Sequence, residues 1–428
     1  MYDELLSILK SEIKPALGCT GPTSVSYAVS VAKDAVGGEA KHVKVNVDRD
    51  TYKNSISVGI PGTARKGLVI ASALGAVCGD SKLGLEVLKN VTPEQEEYAQ
   101  KFAESSVELD ICWELEEVGL FIEAYVETEN GTGHSIIERT HTNVVLIEAN
   151  GGLIYKREAD GSRAPAVEVD APIKKYKVEE LYNFSRNTSL DSIIFLKDAL
   201  EMNINLSQAG LKENVGGRFG IGFNSFKGDR AYIRAKSITA AASDARMAGD
   251  NIPAMSCASS GNVGITASIP FLPICEEYGK SEEEMIRAIC LSFLLTIYIK
   301  SHIGRLSAMC ACAIAAGVGV AAGTAYLLGD SYEKVEMAIN NIVGSLGGIL
   351  CDGAKLGCAM KLSTAVGVAI ESAYLAVDGI SIPKRDGLVS DTADDTLMLL
   401  GKIAREGMVS ADIVMCKAII DREADGVF

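Results

Sequence analysis

The chain has 428 residues, 48% hydrophobic and 23% charged, a balance that buries enough apolar surface to offset chain entropy and excludes a disordered polymer. One core is too few for this length, so two or three domains are expected. With 41 basic against 56 acidic residues the net charge is -15, which repels phosphate backbones and anionic lipid heads; no local basic patch reverses it, so neither nucleic acid nor membrane is expected as a partner.

The opening stretch MYDELLSILKSEIKP is acidic where an export signal is basic. Leu5, Leu6, Ile8, Leu9 and Ile13 fall at helical spacing, giving a short amphipathic helix stopped at Pro15. A cytoplasmic location is expected, in which the 11 cysteines stay reduced. Pro22 opens a second helix, with Val25, Ala28, Val29 and Ala32 on its inner face and Gly37 at its end. Alternating strand patterns follow in HVKVNVD, SISVGIPG, VELDICWEL, LFIEAYVET, HSIIERT and NVVLIEANG, with turns at Asn130-Gly131 and Asn150-Gly151. Residues 1–177 are therefore expected as a mixed domain built on a mainly antiparallel sheet.

Beyond residue 178 strand signals nearly vanish, and residues 178–428 are expected as a mainly α-helical bundle, making the fold class α+β. SEEEMIRAICLSFLLTIYIK opens on a capping box, Ser281 with Glu284, and is apolar enough to be buried on most sides. Residues 306–329 carry no charge and include a small-xxx-small pair, Gly319 and Gly323. Their Ala, Gly, Ser and Cys content argues for a tightly packed buried helix instead of a membrane span. SYEKVEMAINNIVGSLGG places Val335, Ala338, Ile339, Ile342, Val343 and Leu346 on one face, and another helix is expected over 359–377.

Between these last two helices lies GILCDGAKLGCAMKLS. Cys351 follows a helix end at Gly347-Gly348 and Cys358 opens the next helix, where the positive end of the dipole lowers a thiol pKa. Both are expected as thiolates, with Lys355 and Lys361 offsetting their charge. Upstream, GRLSAMCACAIAAG adds Cys310 and Cys312. No clean second short Cys pair completes a zinc tetrahedron, whereas iron-sulfur clusters accept this looser spacing. Small core residues in an Ala/Gly-rich bundle are the competing reading from spacing alone. Cys78, Cys112, Cys257, Cys275, Cys290 and Cys416 are expected in the core.

GGILCDGAKLGC, GRLSAMCAC, CASSGNVGITASIP and KPALGCTGPTSV together resemble the L-cysteine desulfidase family, itself similar to the alpha domain of bacterial iron-sulfur L-serine dehydratases. The resemblance spans nearly the whole chain. It implies an oxygen-sensitive [4Fe-4S] cluster and β-elimination from a small amino acid, giving pyruvate and ammonia, plus sulfide when cysteine is the substrate. Carried over by position, it implies Cys310, Cys351 and Cys358 as cluster ligands, with Cys312 as the alternative to Cys310. The serine dehydratases carry a histidine near their Gly-Pro-Ser motif, whereas GPTSVSYA has none, which favours L-cysteine over L-serine. Cys19 is implied as a catalytic base, proton relay or displaceable fourth ligand, with Thr20, Gly21 and Thr23 around the substrate. Ser260, Gly261 and Asn262 offer donors to a substrate carboxylate, Arg305 a clamp for it, and His141 and Asn143 a strand-borne face toward the site. A homodimer is the assembly left open.

Two other readings compete. NSFKGDRA followed by SSGN looks like the Schiff-base lysine and asparagine loop of pyridoxal phosphate-dependent dehydratases, with Lys227 as the lysine. Against it stand the depth of the lysine in the chain, the missing tetraglycine loop and the missing strand-helix alternation. A cluster-bearing sensor or thiol-binding regulatory module is the non-enzymatic alternative.

Overall fold

Among the described residues the strands are β1 (Ile13–Leu17), β2 (Ala40–Asp48), β3 (Val107–Cys112), β4 (Phe121–Thr128), β5 (Gly131–Glu138), β6 (Val144–Ala149), β7 (Gly152–Lys156) and β8 (Pro253–Cys257). They are seen in a computed structural model that describes residues 2–17, 20–63, 65–113, 120–157, 171–212, 215–304, 307–329 and 331–424. β2 to β7 form one six-stranded sheet of order β3-β2-β4-β5-β6-β7, antiparallel except where β2 and β3 run parallel. Alternation decides its faces. Val43, Val45, Val47, Ile122, Ala124, Val126 and Ile137 point inward against Val25, Ala28, Val29 and Ala32 of the Thr20–Val36 helix. Ser135 Oγ donates to Ala28 O at 2.7 Å, fastening that helix to the middle of the sheet.

The opposite face holds a charged cluster. His134 lies between Glu123 (3.1 Å) and Glu148 (2.9 Å), with Tyr125 stacked on its ring at 4.1 Å. Burial pulls its pKa down, but the two carboxylates outweigh burial and raise it above the ordinary value, while Glu123, hydrogen-bonded to His134, drops to about 2. A histidine with a raised folded-state pKa contributes stability in full below its unfolded value of about 6.5, and loses that contribution as pH rises through the folded value. His134→Gln is therefore expected to lower Tm more at pH 6 than at pH 9. Equal losses at the two pH values would show that the ring acts by packing alone.

The second layer is helical. The Glu282–Ile303 helix runs through its centre, started by the expected capping box, in which Glu284 N donates to Ser281 Oγ (3.2 Å) and Ser281 N to Glu284 Oε2 (2.8 Å). The Ile314–Leu328, Tyr332–Leu346 and Cys358–Val377 helices pack into the same core. The face expected on Tyr332–Leu346 is buried at Val335, Ala338, Ile339, Ile342 and Val343. Among the described residues two helices are long and apolar enough to cross a membrane, and 83% of the apolar window in Glu282–Ile303 and 56% of that in Cys358–Val377 is buried inside the fold. The chain ends cross between layers. Leu5, Ile8 and Leu9 of the Tyr2–Glu12 helix enter the helical core, and Ile419 and Ile420 of the Val409–Ala424 helix pack on the sheet core.

Several local expectations change. The first helix stops at Glu12, and Pro15 sits within β1, which pairs only with β8 and so tolerates a missing N–H. SISVGIPG is not a strand: Asp48 caps an Arg49–Ser55 helix, and Val58 and Ile60 are buried in a tight reversal closed by Ile60 N to Arg65 O (2.9 Å) and Gly67 N to Val58 O (3.3 Å). Burial does not alternate there either: Val58, Gly59 and Ile60 are buried in succession, while Ile56 and Ser57 are half-buried. The helix expected over 306–329 begins only at Ile314, leaving Cys310 and Cys312 in the turn before it.

Candidate active site

β8 ends at Cys257 and reverses through Ala258 (φ 47) and Ser259 (φ 65), two non-glycine residues in the left-handed region. Reciprocal bonds between Cys257 and Ser260, both 3.1 Å, close the turn. Such residues cost on the order of 1 kcal/mol or more each, so the surroundings must hold them. They do: Ala258 N donates to Glu12 O (3.0 Å), and the buried Lys300 ammonium donates to Ala258 O (2.8 Å). The turn aims Ser260 at two targets. Its hydroxyl caps the Gly261–Ser268 helix and lies 3.6 Å from Cys312 Sγ.

A short bridge explains how distant cysteines meet. Met309 pairs with Leu350, Cys310 N donates to Ile349 O (2.8 Å) and Cys351 N to Ala308 O (2.6 Å), so residues 308–310 and 349–351 run side by side. Cys310 thereby lies within hydrogen-bonding reach of both Cys312 and Cys351. The three thiols titrate as one unit. Sharing its proton with Cys312 and Cys351, and burial after that, pushes Cys310 up. The bond from Cys310 brings Cys351 down to about 6 against the opposing effect of burial, helped by the charges of Lys53 and Lys361. The same bond brings Cys312 down to about 7, with Ser260 and Lys300 assisting. Cys358 opens the Cys358–Val377 helix, donates to Gly353 O at 3.6 Å, and is pushed up to about 12 by burial.

The Arg49–Ser55 helix closes the other side. A Cβ on Gly353 (φ 92) would lie 2.0 Å from Lys53 O, so only glycine lets the 352–357 loop rest against that helix. Lys53 has no exposed side-chain surface; it is paired with Asp50 at 3.1 Å and with Asp412, which Arg49 also meets at 3.1 Å. Asn54 Oδ1 is 4.0 Å from Cys351 Sγ, and a Cβ on Gly21 would lie 2.1 Å from Ser55 Oγ, so this one short helix connects the cysteines to the start of the Thr20–Val36 helix. There Thr20 Oγ1 and His141 Nε2 are 3.2 Å apart, and Ser24 Oγ holds His141 O at 2.7 Å.

The sequence profile described as serine dehydratase alpha chain matches residues 82–417. The chain belongs to the serine dehydratase alpha chain family. Its relatives at full length are described as UPF0597 proteins. One from Caldanaerobacter subterraneus subsp. tengcongensis is 41% identical over 419 residues, covering 98% of each chain, and one from Clostridium tetani is 39% identical over 421 residues, covering 98% of each. One from Clostridium perfringens is 36% identical over 429 residues, covering 99% of each.

Against this serine dehydratase alpha architecture the expected residues sort into groups. Cys310, Cys312 and Cys351 come together with Ser260, and Cys358 stands behind them across Gly353. Thr20, Gly21 and His141 meet at the neighbouring helix start, with Thr23 buried below them. Gly261 begins its helix, but the Asn262 side chain is turned into the core, accepting from Arg246 at 3.2 Å. Asn143 is held in the β5–β6 turn by Glu138 O at 3.0 Å and lines a groove on the sheet rim with Tyr27 and Tyr155. Cys19 and Arg305 lie outside the described residues. Lys227 is exposed in the segment between the Phe219–Asn224 and Arg230–Ala248 helices, an environment unlike the closed pocket an internal aldimine requires.

Two electrostatic expectations are corrected. Cys358 is not a thiolate, because burial outweighs the helix terminus and the charge of Lys355, which is itself paired with Asp352. Cys78 and Cys112 are half-buried, whereas Cys257, Cys275, Cys290 and Cys416 lie in the core as expected. Lys53, Asp412 and Lys300 went unread. Lys300 had a signal: it is the one charge between Arg287 and Gly304 in a run apolar enough to be buried. Lys53 in DTYKNS had none.

Proposed function

We propose that the protein is an iron-sulfur-dependent β-eliminating lyase whose main substrate is L-cysteine, converted to pyruvate, ammonia and sulfide. The observation that carries the reading is a group of three neighbouring thiols, Cys310 buried and Cys312 and Cys351 half-buried, two of them with lowered pKa, in a chain of the serine dehydratase alpha family. Among the described residues no three His, Cys, Asp or Glu side chains are placed to hold a single metal ion. The donor chemistry fits a thiolate-bound cluster better: soft ligands, buried, with Lys53 and Lys361 near Cys351 and the one adjacent carboxylate, Asp352, bound to Lys355 and Lys361. Cys310, Cys351 and Cys358 would hold it. When bound, a cluster with three protein ligands supplies an open iron that acts as a Lewis acid on the leaving group.

The chain's own groups do the rest. Ser260 and the N-terminus of the Gly261–Ser268 helix offer donors to the substrate carboxylate. The α-proton passes to a base, Cys19 by resemblance, and Thr20, next to it in the sequence and hydrogen-bonded to His141, is the route onward. As the C–H bond breaks its electron pair forms the double bond, and the C–S pair leaves on sulfur, which is protonated. The aminoacrylate then tautomerises and hydrolyses in water to pyruvate and ammonia.

L-Serine is the second reading, favoured by the family's own description. The test is protein purified without oxygen, assayed for about four irons per chain, for pyruvate and sulfide from L-cysteine, and for pyruvate from L-serine. Faster turnover of serine would reverse the substrate and leave the cluster standing. A spectral response to cysteine with no pyruvate would make the protein a sensor.

A further inference from the structure

A cavity of about 650 Å³ is lined by residues of the 352–357 loop, with no cysteine among the described residues that line it. That is within the range of roughly 300–1,000 Å³ typical of small-molecule sites. Its charge is opposite to that of the chain. The protein as a whole carries -15, yet the cations that line this cavity with solvent-accessible side chains are Lys66, Lys355 and Arg422, against one carboxylate, Asp352; Lys53 lines it with no exposed side-chain surface. Lys53 is neutralised by Asp50 and Asp412, and Lys355 by Asp352. Lys66 has no ion pair among the described residues, and Arg422 bonds only to Ala418 O of its own helix, at 3.0 Å. Two cations without an ion pair among the described residues thus line one cavity, contributed by separate parts of the chain. Between them are apolar surfaces from Ile56, Leu356 and Ile419.

We propose that this cavity binds a small organic anion, with a carboxylate or phosphate held between Lys66 and Arg422 and an apolar body against Ile56, Leu356 and Ile419. The site is distinct from the thiol group, since neither Cys351 nor Cys358 lines it. It is nevertheless coupled to that group through the loop, because Asp352 and Gly357, the inner neighbours of the two cysteines, form its floor. A bound anion braces the loop against the Val409–Ala424 helix.

The same helix carries a reporter. Lys417 lies over the ring of Trp113 at 5.9 Å, and Trp113 is the only tryptophan in the chain, so ligand pressing on Ile419 and Arg422 is read as a change in tryptophan emission. The experiment titrates the intact protein with phenyl phosphate, with 3-phenylpropionate and with benzyl alcohol as the neutral counterpart, following emission and heat. Saturable binding of at least one anion, absent for benzyl alcohol and weakened at least tenfold in the Lys66→Gln/Arg422→Gln double variant, supports the proposal; the tighter anion names the head group. Both side chains are exposed, so the double variant keeps its fold. No binding of either anion, equal binding of benzyl alcohol, or unchanged affinity in the double variant overturns it. None of these readouts needs a cluster or turnover, so this proposal and the lyase reading fail separately.

Discussion

Lys53→Met is expected to lower the free energy of unfolding by about 3–5 kcal/mol, the largest loss of any single side chain in the site. The lysine has no exposed surface and its main partner Asp412 is 3% exposed, so the substitution strands Asp412 and Asp50 with their charges in the interior. Arg49 still meets Asp412, which keeps the loss from being larger. Burial alone pulls the Lys53 pKa down, but Asp50, Cys351 and Asp412 together hold the ammonium charged. Replacing Asp412 as well, in Lys53→Met/Asp412→Leu, removes the more deeply buried of the two stranded carboxylates and is expected to recover part of the stability, Asp50 and Arg49 keeping their charges. It does not restore the thiol. Without the ammonium, alkylation of Cys351 shifts to higher pH in both variants, measured against Cys351→Ala as the blank. A urea midpoint within experimental error of wild type, or an unmoved alkylation profile, would remove Lys53 from the site.

How much of this was legible in the sequence depends on what each signal encodes. Helices whose apolar face and caps agree were read closely: Ser281 and Glu284 start the central helix as expected, and the helix expected over 359–377 is Cys358–Val377. Strands β2 to β6 were legible for the same reason, since alternation is a property of the chain itself. The errors arise where residue types alternate without a strand, as at Ile56, Val58 and Ile60, or where a strand is short and two-stranded, as β1 and β8 are. The site divides in the same way. The four cysteines were visible as residue types, but their meeting depends on the bridge between Met309 and Leu350, a long-range pairing that no local pattern records. Lys53 was invisible because lysine in a short helix is almost always a solvent-facing residue. The thiol state of Cys358 was misjudged because a helix terminus is a local feature, whereas the burial that outweighs it is set by the whole fold.

Removing single cysteines tests which of them are the proposed cluster ligands. Cys351→Ala and Cys310→Ala are each expected to leave anaerobically purified protein with less than about one iron per chain and to cut turnover by about 10³-fold or more, the equivalent of several kcal/mol of Lewis-acid assistance. Cys358→Ala is expected to do the same, although its thiol is protonated in the metal-free fold. Coordination displaces that proton, so cluster uptake at Cys358 becomes steeper with pH than at Cys351, whose pKa is already about 6. Cys312→Ala is the informative contrast. Its sulfur lies 3.6 Å from the Ser260 hydroxyl, on the side of the carboxylate donors, so the variant is expected to keep its iron and its brown colour while KM for the amino acid rises. Were Cys312→Ala to lose iron and Cys310→Ala to keep it, the third ligand would be Cys312. The bridge that sets Cys310 beside Cys351 would then serve to orient the pair without itself supplying a ligand.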